Sequence, residues 1–241
     1  MEVFLELLAS GGYYRQIGQI VGVHKTSAYN YSRLATNFFA ITAQRYINLP
    51  QREDLAGMSL PLETVEGEQK RVVLYIDGFI VKIQRPDHSG DAFFCGRPGK
   101  SCDGINVQYV VDRRGQIRHI VTGIPGSSHD ATAIRWSNTF MTFLDNLPEN
   151  FVVLGDPAYR GVHEKLLHTY IGRNLTHAQL RYNQSATRIR QIVERSIGAS
   201  QLKWRIQQLK ENRLPAKNNT DFASKCTIAA AVLHNRFTNF L

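Results

Sequence analysis

Cysteine is scarce in this chain: Cys95, Cys102 and Cys226 are an odd three, with no CxxC pair among them. That count argues against a disulfide framework or a cysteine-rich zinc module, and it fits a reducing compartment. Long apolar runs are missing as well, since no stretch approaches the roughly 18 continuous apolar residues a membrane span requires. The opening MEVFLELLASGGYY carries Glu2 and Glu6, where a secretory leader would have a basic start and an unbroken apolar run. No internal repeat or low-complexity tract appears. Acid is the charge in short supply. Twenty Asp and Glu stand against 29 Lys and Arg in 241 residues, a net charge of +9, and a field of that sign draws polyanions. Without a basic amphipathic anchor to favour a membrane, nucleic acid is the expected partner.

The length allows one large domain, or a main domain plus a small module. Residues 1–49 read as helical. Val3, Phe4, Leu7 and Leu8 keep a helical period that stops at Gly11 and Gly12. A short helix over Tyr14–Val21, a turn at Gly22 and a longer helix from about Thr26 to Ala40 then form a helix-turn-helix pattern. Its second helix would present Lys25, Thr26, Ser27, Tyr29 and Asn30 to DNA. The alternative is a helical hairpin that only packs on the main domain. Residues 50–70 mix Pro, Gly and charge without a period and read as a linker.

From residue 71 the texture becomes β-rich. RVVLYIDG is a strand closing on Asp77, INVQYVVDRRGQIRHIVTGIPG is a hairpin, and DATAIRWSNTFMTFLDNL is a helix with Asp130 near its cap. FVVLGD is a further strand, closing on Asp156, and the chain after about Arg188 reads as helical. Three antiparallel strands, a crossover helix and a parallel strand beside the first describe an α/β, ribonuclease-H-like mixed sheet flanked by helices. In that architecture the ends of the first and fourth strands are neighbours.

Asp77 and Asp156 therefore come within reach of a shared cation. Two close carboxylates repel, and a divalent metal relieves the repulsion. Asp156 alone could also be a turn former or a helix cap. Glu194, in RQIVERSIG, lies in a helix whose other face carries Ile189, Ile192, Val193 and Ile197, so it can face the strand ends; its plain alternative is an exposed pair with Arg190. Oxygen ligands of this kind suit Mg²⁺ or Mn²⁺, and two such ions can drive in-line attack on a phosphodiester.

The ordered motifs IDGFIVKI, INVQYVVD, GIPGSSHDA, LGDPAYRG, RIRQIVERSIG and AAAVLHN resemble the DDE nuclease domain of PIF/Harbinger-type transposases and the host nucleases derived from them. The resemblance covers residues 71–241, and the upstream helices resemble that family's helix-turn-helix. It implies that Asp77, Asp156 and Glu194 are the catalytic, metal-binding acids, with Asp130 as an accessory metal ligand. It also implies action in the nucleus, a homodimer and a separate Myb-like DNA-binding partner. The chain departs from the family pattern at Phe79 and Ile80, in FFCGRPGKSCDG, and at Asn30, changes that bear on target choice and turnover. Its start lies close to the helix-turn-helix, which leaves room for further DNA-binding sequence upstream.

Other residues carry lesser expectations. Basic side chains from Arg160 to Lys210 are a candidate phosphate-binding set. Trp136 and Trp204 are expected in the core. His88, Cys95 and Cys102 lack the fourth ligand of a zinc site, and His234 reads as a buried histidine. Two functions lead, a metal-dependent DNA endonuclease and a catalytically inactive DNA-binding protein that keeps the nuclease fold as a scaffold; a structural-RNA nuclease shares the fold but draws little support from the helix-turn-helix.

Overall fold

A computed structural model describes residues 1–87, 90–96, 101–208 and 220–237, so His88 and Lys210 lie outside the described residues. Three helices open the chain: α1 (Glu2–Ser10), α2 (Tyr14–Val21) and α3 (Lys25–Thr42). Left-handed Gly11 (φ 62°) and Gly22 (φ 76°) close α1 and α2, conformations that a side chain would strain. His24 Nδ1 then caps α3 by accepting from the Thr26 amide at 3.3 Å. The helices match the periodicity, and they do not stand apart. Phe4, Leu8, Ile17 and Ala28 share one apolar cluster with the sheet, and α3 packs on the C-terminal helix, where Thr36 meets Cys226 at 4.0 Å.

The stretch expected to be a linker is ordered. It forms α4 (Leu55–Met58) and β1 (Leu60–Glu63), and β1 pairs antiparallel with the start of β2 (Gln69–Lys82), Leu60 opposite Val72. Arg71 ties the turn down, donating to the Ser59 hydroxyl and the Ala56 carbonyl at 2.8 Å each. The four residues of β1, with only Leu62 buried, are too few for a period to stand out.

After α5 (Gly90–Phe93) and β3 (Phe94–Cys95) come β4 (Cys102–Val111), β5 (Ile117–Pro125), α6 (Asp130–Arg135), α7 (Asn138–Asp145), β6 (Phe151–Leu154), β7 (Leu166–Leu167), α8 (His177–Lys203) and α9 (Asp221–Phe237). The sheet runs β5-β4-β2-β6-β7, with β4 and β5 antiparallel to their neighbours and β6 parallel to β2. This is the ribonuclease-H-like order. One face of the sheet packs with α1, α3, α8 and α9 around Tyr75, Phe79 and Val81, and the other with α6 and α7 around Leu74, Ile76 and Val153. The three cysteines are free thiols, although Cys95 and Cys102 are cross-strand partners.

Three local expectations change. β2 does not close on Asp77: antiparallel pairing with β4 carries it on to Lys82 opposite Gly104. The single helix after Asp130 is two, because Ser137 accepts from the Phe140 amide at 3.3 Å and starts α7 anew. That break turns Trp136 outward, 64% exposed instead of in the core, while Trp204 is buried as expected. Finally, α8 begins at His177, well before Arg188, behind a capping box in which Thr176 accepts from the Gln179 amide and Gln179 from the Thr176 amide.

The terminal LHN motif is a latch. His234 is fully buried with Nε2 at 3.4 Å from the Gly115 carbonyl, and burial pushes its pKa down to about 4, which keeps the ring neutral. Asn235 accepts from the Ile117 amide and donates to the Ile117 carbonyl, both at 2.8 Å, and also donates to Tyr46 at 3.1 Å, joining α9 to β5 and to the segment after α3. Asn235→Ala leaves these backbone groups unpaired, so urea unfolding should show a loss of about 1–3 kcal/mol with an unchanged m value.

Candidate active site

A bulge on β2 sets the position of the first acid. Pairing with β6 runs Val72 to Val152 but then Leu74 to Val153 and Tyr75 to Leu154, so Val73 is an extra residue. Counting on from Tyr75 and Leu154, Asp77 stands level with Asp156. Alternation puts Asp77 on the same face as Tyr75 and Phe79, the face that α8 covers. Asp156 reaches that face by the same alternation, two residues after Leu154. It also does what its plain reading expects, accepting from the Ala158 amide at 2.9 Å to cap the 3₁₀ turn Pro157–Tyr159.

α8 supplies the rest. Its buried face carries Tyr182, Ala186, Val193 and Ile197, which leaves Arg190 and Glu194 one turn apart beside the strand ends. Arg190 donates to Glu194 Oε1 at 2.6 Å and lies 3.5 Å from Asp77 Oδ2. Glu194 is thus both the partner of Arg190 and a neighbour of Asp77. Arg190 is the residue that sequence reasoning underrated, and the visible signal was its i, i+4 spacing to Glu194.

The electrostatics follow from this crowding. Burial pushes the Asp77 pKa up to about 6, and repulsion from Asp156 and Glu194 adds to the rise; the Gly78 amide, donating at 2.8 Å, and the Arg190 guanidinium oppose it. Of the three carboxylates, Asp77 and Glu194 share the Arg190 guanidinium. Among the described residues no three His, Cys, Asp or Glu side chains converge as a ready-made metal cage. The donor set nevertheless fits a hard divalent ion, because Asp77 carries the penalty that such an ion would relieve.

Asp130 stands elsewhere. Its Oδ1 accepts from Asn106 Nδ2 at 2.9 Å and from Gln108 Nε2 at 3.1 Å, and Gln108 also accepts from the Tyr159 hydroxyl. This buried amide network lies behind Gly78, on the face opposite Asp77. A Cβ at Gly78 would sit 2.5 Å from Gln108 Nε2 and 2.8 Å from Asp130 Oδ1, so only glycine leaves room for it. The network ties the turn after Asp156 to β4 and α6, which makes Asn106, Gln108 and Tyr159 supports of the site. Their signal was two amide side chains, at positions 106 and 108, within the apolar run from Ile105 to Val111. The candidate DNA contacts form a separate group at the start of α3, where Lys25, Thr26 and Asn30 are exposed and Ser27 is half-buried.

A ribonuclease-H-like sheet with two aspartates at neighbouring strand ends and a glutamate on the covering helix is a fold of the DDE kind. The profile of the DDE superfamily endonuclease family matches residues 76–235, and the chain belongs to that family. It is similar to the protein named "Putative nuclease HARBI1" from Rattus norvegicus, 24% identical over 236 residues, and to its counterparts in Mus musculus, 24% over 232, and Homo sapiens, 22% over 236. Each of these alignments covers 96% of this chain and 64% of the relative, so the chain spans somewhat under two thirds of those proteins.

The raised pKa of Asp77 has a testable sign. A folded carboxyl that holds its proton up to about pH 6 makes the metal-free protein less stable as pH rises from about 4 to about 6, with no further change from this group above that. Asp77→Asn removes the penalty and should stabilise the EDTA-treated protein at pH 7.5 by about 2–3 kcal/mol in urea unfolding, and flatten that stretch of its pH profile. Gly78→Ala should act oppositely, costing about 1–3 kcal/mol by displacing Gln108 and Asp130.

Proposed function

We propose that the chain is a divalent-metal-dependent DNA endonuclease of transposase descent. The observation that carries this reading is the placement of Asp77 level with Asp156 and beside Glu194 on one face of the sheet, with its carboxyl destabilised in the ionised form. Asp77, Asp156 and Glu194 would hold Mg²⁺ or Mn²⁺. Such ions, when bound, activate the attacking water or 3′-hydroxyl and stabilise the leaving 3′-oxygen. The protein's own part is positional: β2 and β6 fix the two aspartates, α8 presents Glu194, and Arg190 balances part of the acid charge and stands ready for a phosphate.

DNA would be held by charge. Arg181, Arg188 and Arg195 recur every seven residues along α8 and are exposed, which lines them along one side of the helix that carries Glu194. Lys25, Thr26, Ser27 and Asn30 on α3 would add a second contact. Among the described residues no helix is long and apolar enough to cross a membrane. We extend the proposal, on the family resemblance, to action in the nucleus, a homodimer and a Myb-like DNA-binding partner.

The inactive-scaffold reading draws on one observation, the Arg190 bridge between Asp77 and Glu194, which places a fixed cation among the acids. Plasmid nicking separates the two. With Mn²⁺ the wild type should nick supercoiled DNA and show a saturable ion-binding isotherm, while Asp156→Asn, Asp77→Asn and Glu194→Gln should lose on the order of 100-fold or more in rate, since even residues that only support a metal cost about 10–100-fold. A wild type that binds DNA in EDTA but fails to nick it under any divalent metal would establish the scaffold instead.

A further inference from the structure

A single exposed aromatic on a protein surface needs no special account, but the surroundings of Trp136 give one. It follows α6 directly. That helix begins at Asp130, whose carboxylate abuts Gly78 next to Asp77, and its six residues span about 9 Å. At the other end, the Arg135 guanidinium donates to the carbonyl of Gly161, which pins the tip of α6 to the segment leaving Asp156. Arg160 is part of that segment, and Arg135, Trp136 and Arg160 are all exposed. Of the acids on this side, Asp145 meets His163 at 3.1 Å, and Glu164 lines a cavity together with Arg160, Gly161 and Tyr170. The result is a 64% exposed indole beside Arg135, whose guanidinium holds the Gly161 carbonyl next to Arg160, at the far end of the helix that begins at Asp130 and on the segment that leaves Asp156.

We propose that Trp136, with Arg135 and Arg160, is a stacking platform for an unpaired base of a DNA strand adjoining the cleavage site. An indole face stacks on any base, and guanidinium groups hold the flanking phosphates, so the platform recognises single-stranded DNA with little sequence preference. It rests on the proposed function only in taking DNA as the substrate. It adds what the carboxylates do not supply, a place for a strand that has left the duplex.

The chain has two tryptophans, and buried Trp204 serves as an internal standard. In EDTA, titration with oligothymidylate should quench the red-shifted emission of Trp136 and leave the Trp204 component unchanged. Trp136→Ala should retain the Trp204 emission, showing that it is folded, and bind the oligonucleotide roughly tenfold more weakly with an unaltered salt slope. Arg135→Gln and Arg160→Gln should each lower that slope by about 0.7. Unchanged emission at saturating oligonucleotide, or wild-type affinity in Trp136→Ala, overturns the platform. Plasmid nicking is read separately: quenching without any nicking under Mn²⁺ removes the nuclease reading and leaves the platform standing, and nicking without quenching does the reverse.

Discussion

The parallel pairing of β2 with β6, interrupted by the extra residue at Val73, is the constraint on which the site depends. Without that residue, pairing continued from Val72 and Val152 would place Asp77 level with Pro157 and change the face on which each side chain of β2 lies. With it, the two aspartates are level and both face α8. The bulge is secured from both sides, because β6 fixes the strand before Asp77 and β4 carries it on afterwards to Lys82.

The acids are costly to gather, and the fold meets that cost in two layers. On the α8 face, Arg190 contacts Asp77 and Glu194, and the Gly78 amide donates to Asp77. On the opposite face, Asn106, Gln108, Asp130 and Tyr159 bond to one another in a buried layer, where an unmatched polar group would be expensive. Gly78 lies between the layers and has to be glycine, since a methyl group would enter the amide network. The residual strain falls on Asp77, whose carboxyl is held near pKa 6. A nearby positive charge favours the ionised form of such a group, so Asp77 responds to any cation that approaches.

The overall charge and the local charge have opposite signs, and that contrast is informative. A chain of net charge +9 draws a polyanion over its whole surface, whereas the acid cluster by itself would repel one. The arginines along α8 lie on the same helix as Glu194, so attraction and repulsion act within a few turns of each other. Trp136, exposed by the break between α6 and α7, adds an uncharged contact at the edge of this field.

Much of this was legible in the residues alone. The alternating apolar pattern around VVLYID and FVVLGD, the hairpin turn at Asp112–Gly115 and the helical periods are local signals, so strand and helix identity and the mixed sheet could be read from them, whereas Asp77, Asp156 and Glu194 were singled out as a set by the family resemblance. Boundaries were less legible. β2 passes through Asp77 because β4 pairs with it, β1 forms inside an apparent linker because β2 offers an edge, and Ser137 starts a second helix that turns Trp136 to solvent. The sequence by itself determined which side chains were available and on which kind of element each would sit, since those follow from propensity and period within a few residues. Only the tertiary structure decided that Asp77 and Asp156 are level, that Arg190 joins Asp77 to Glu194, and that Asp130 belongs to the amide network behind the strand. Those facts depend on strand register and on which face each residue takes, and both are fixed by partners distant in the chain.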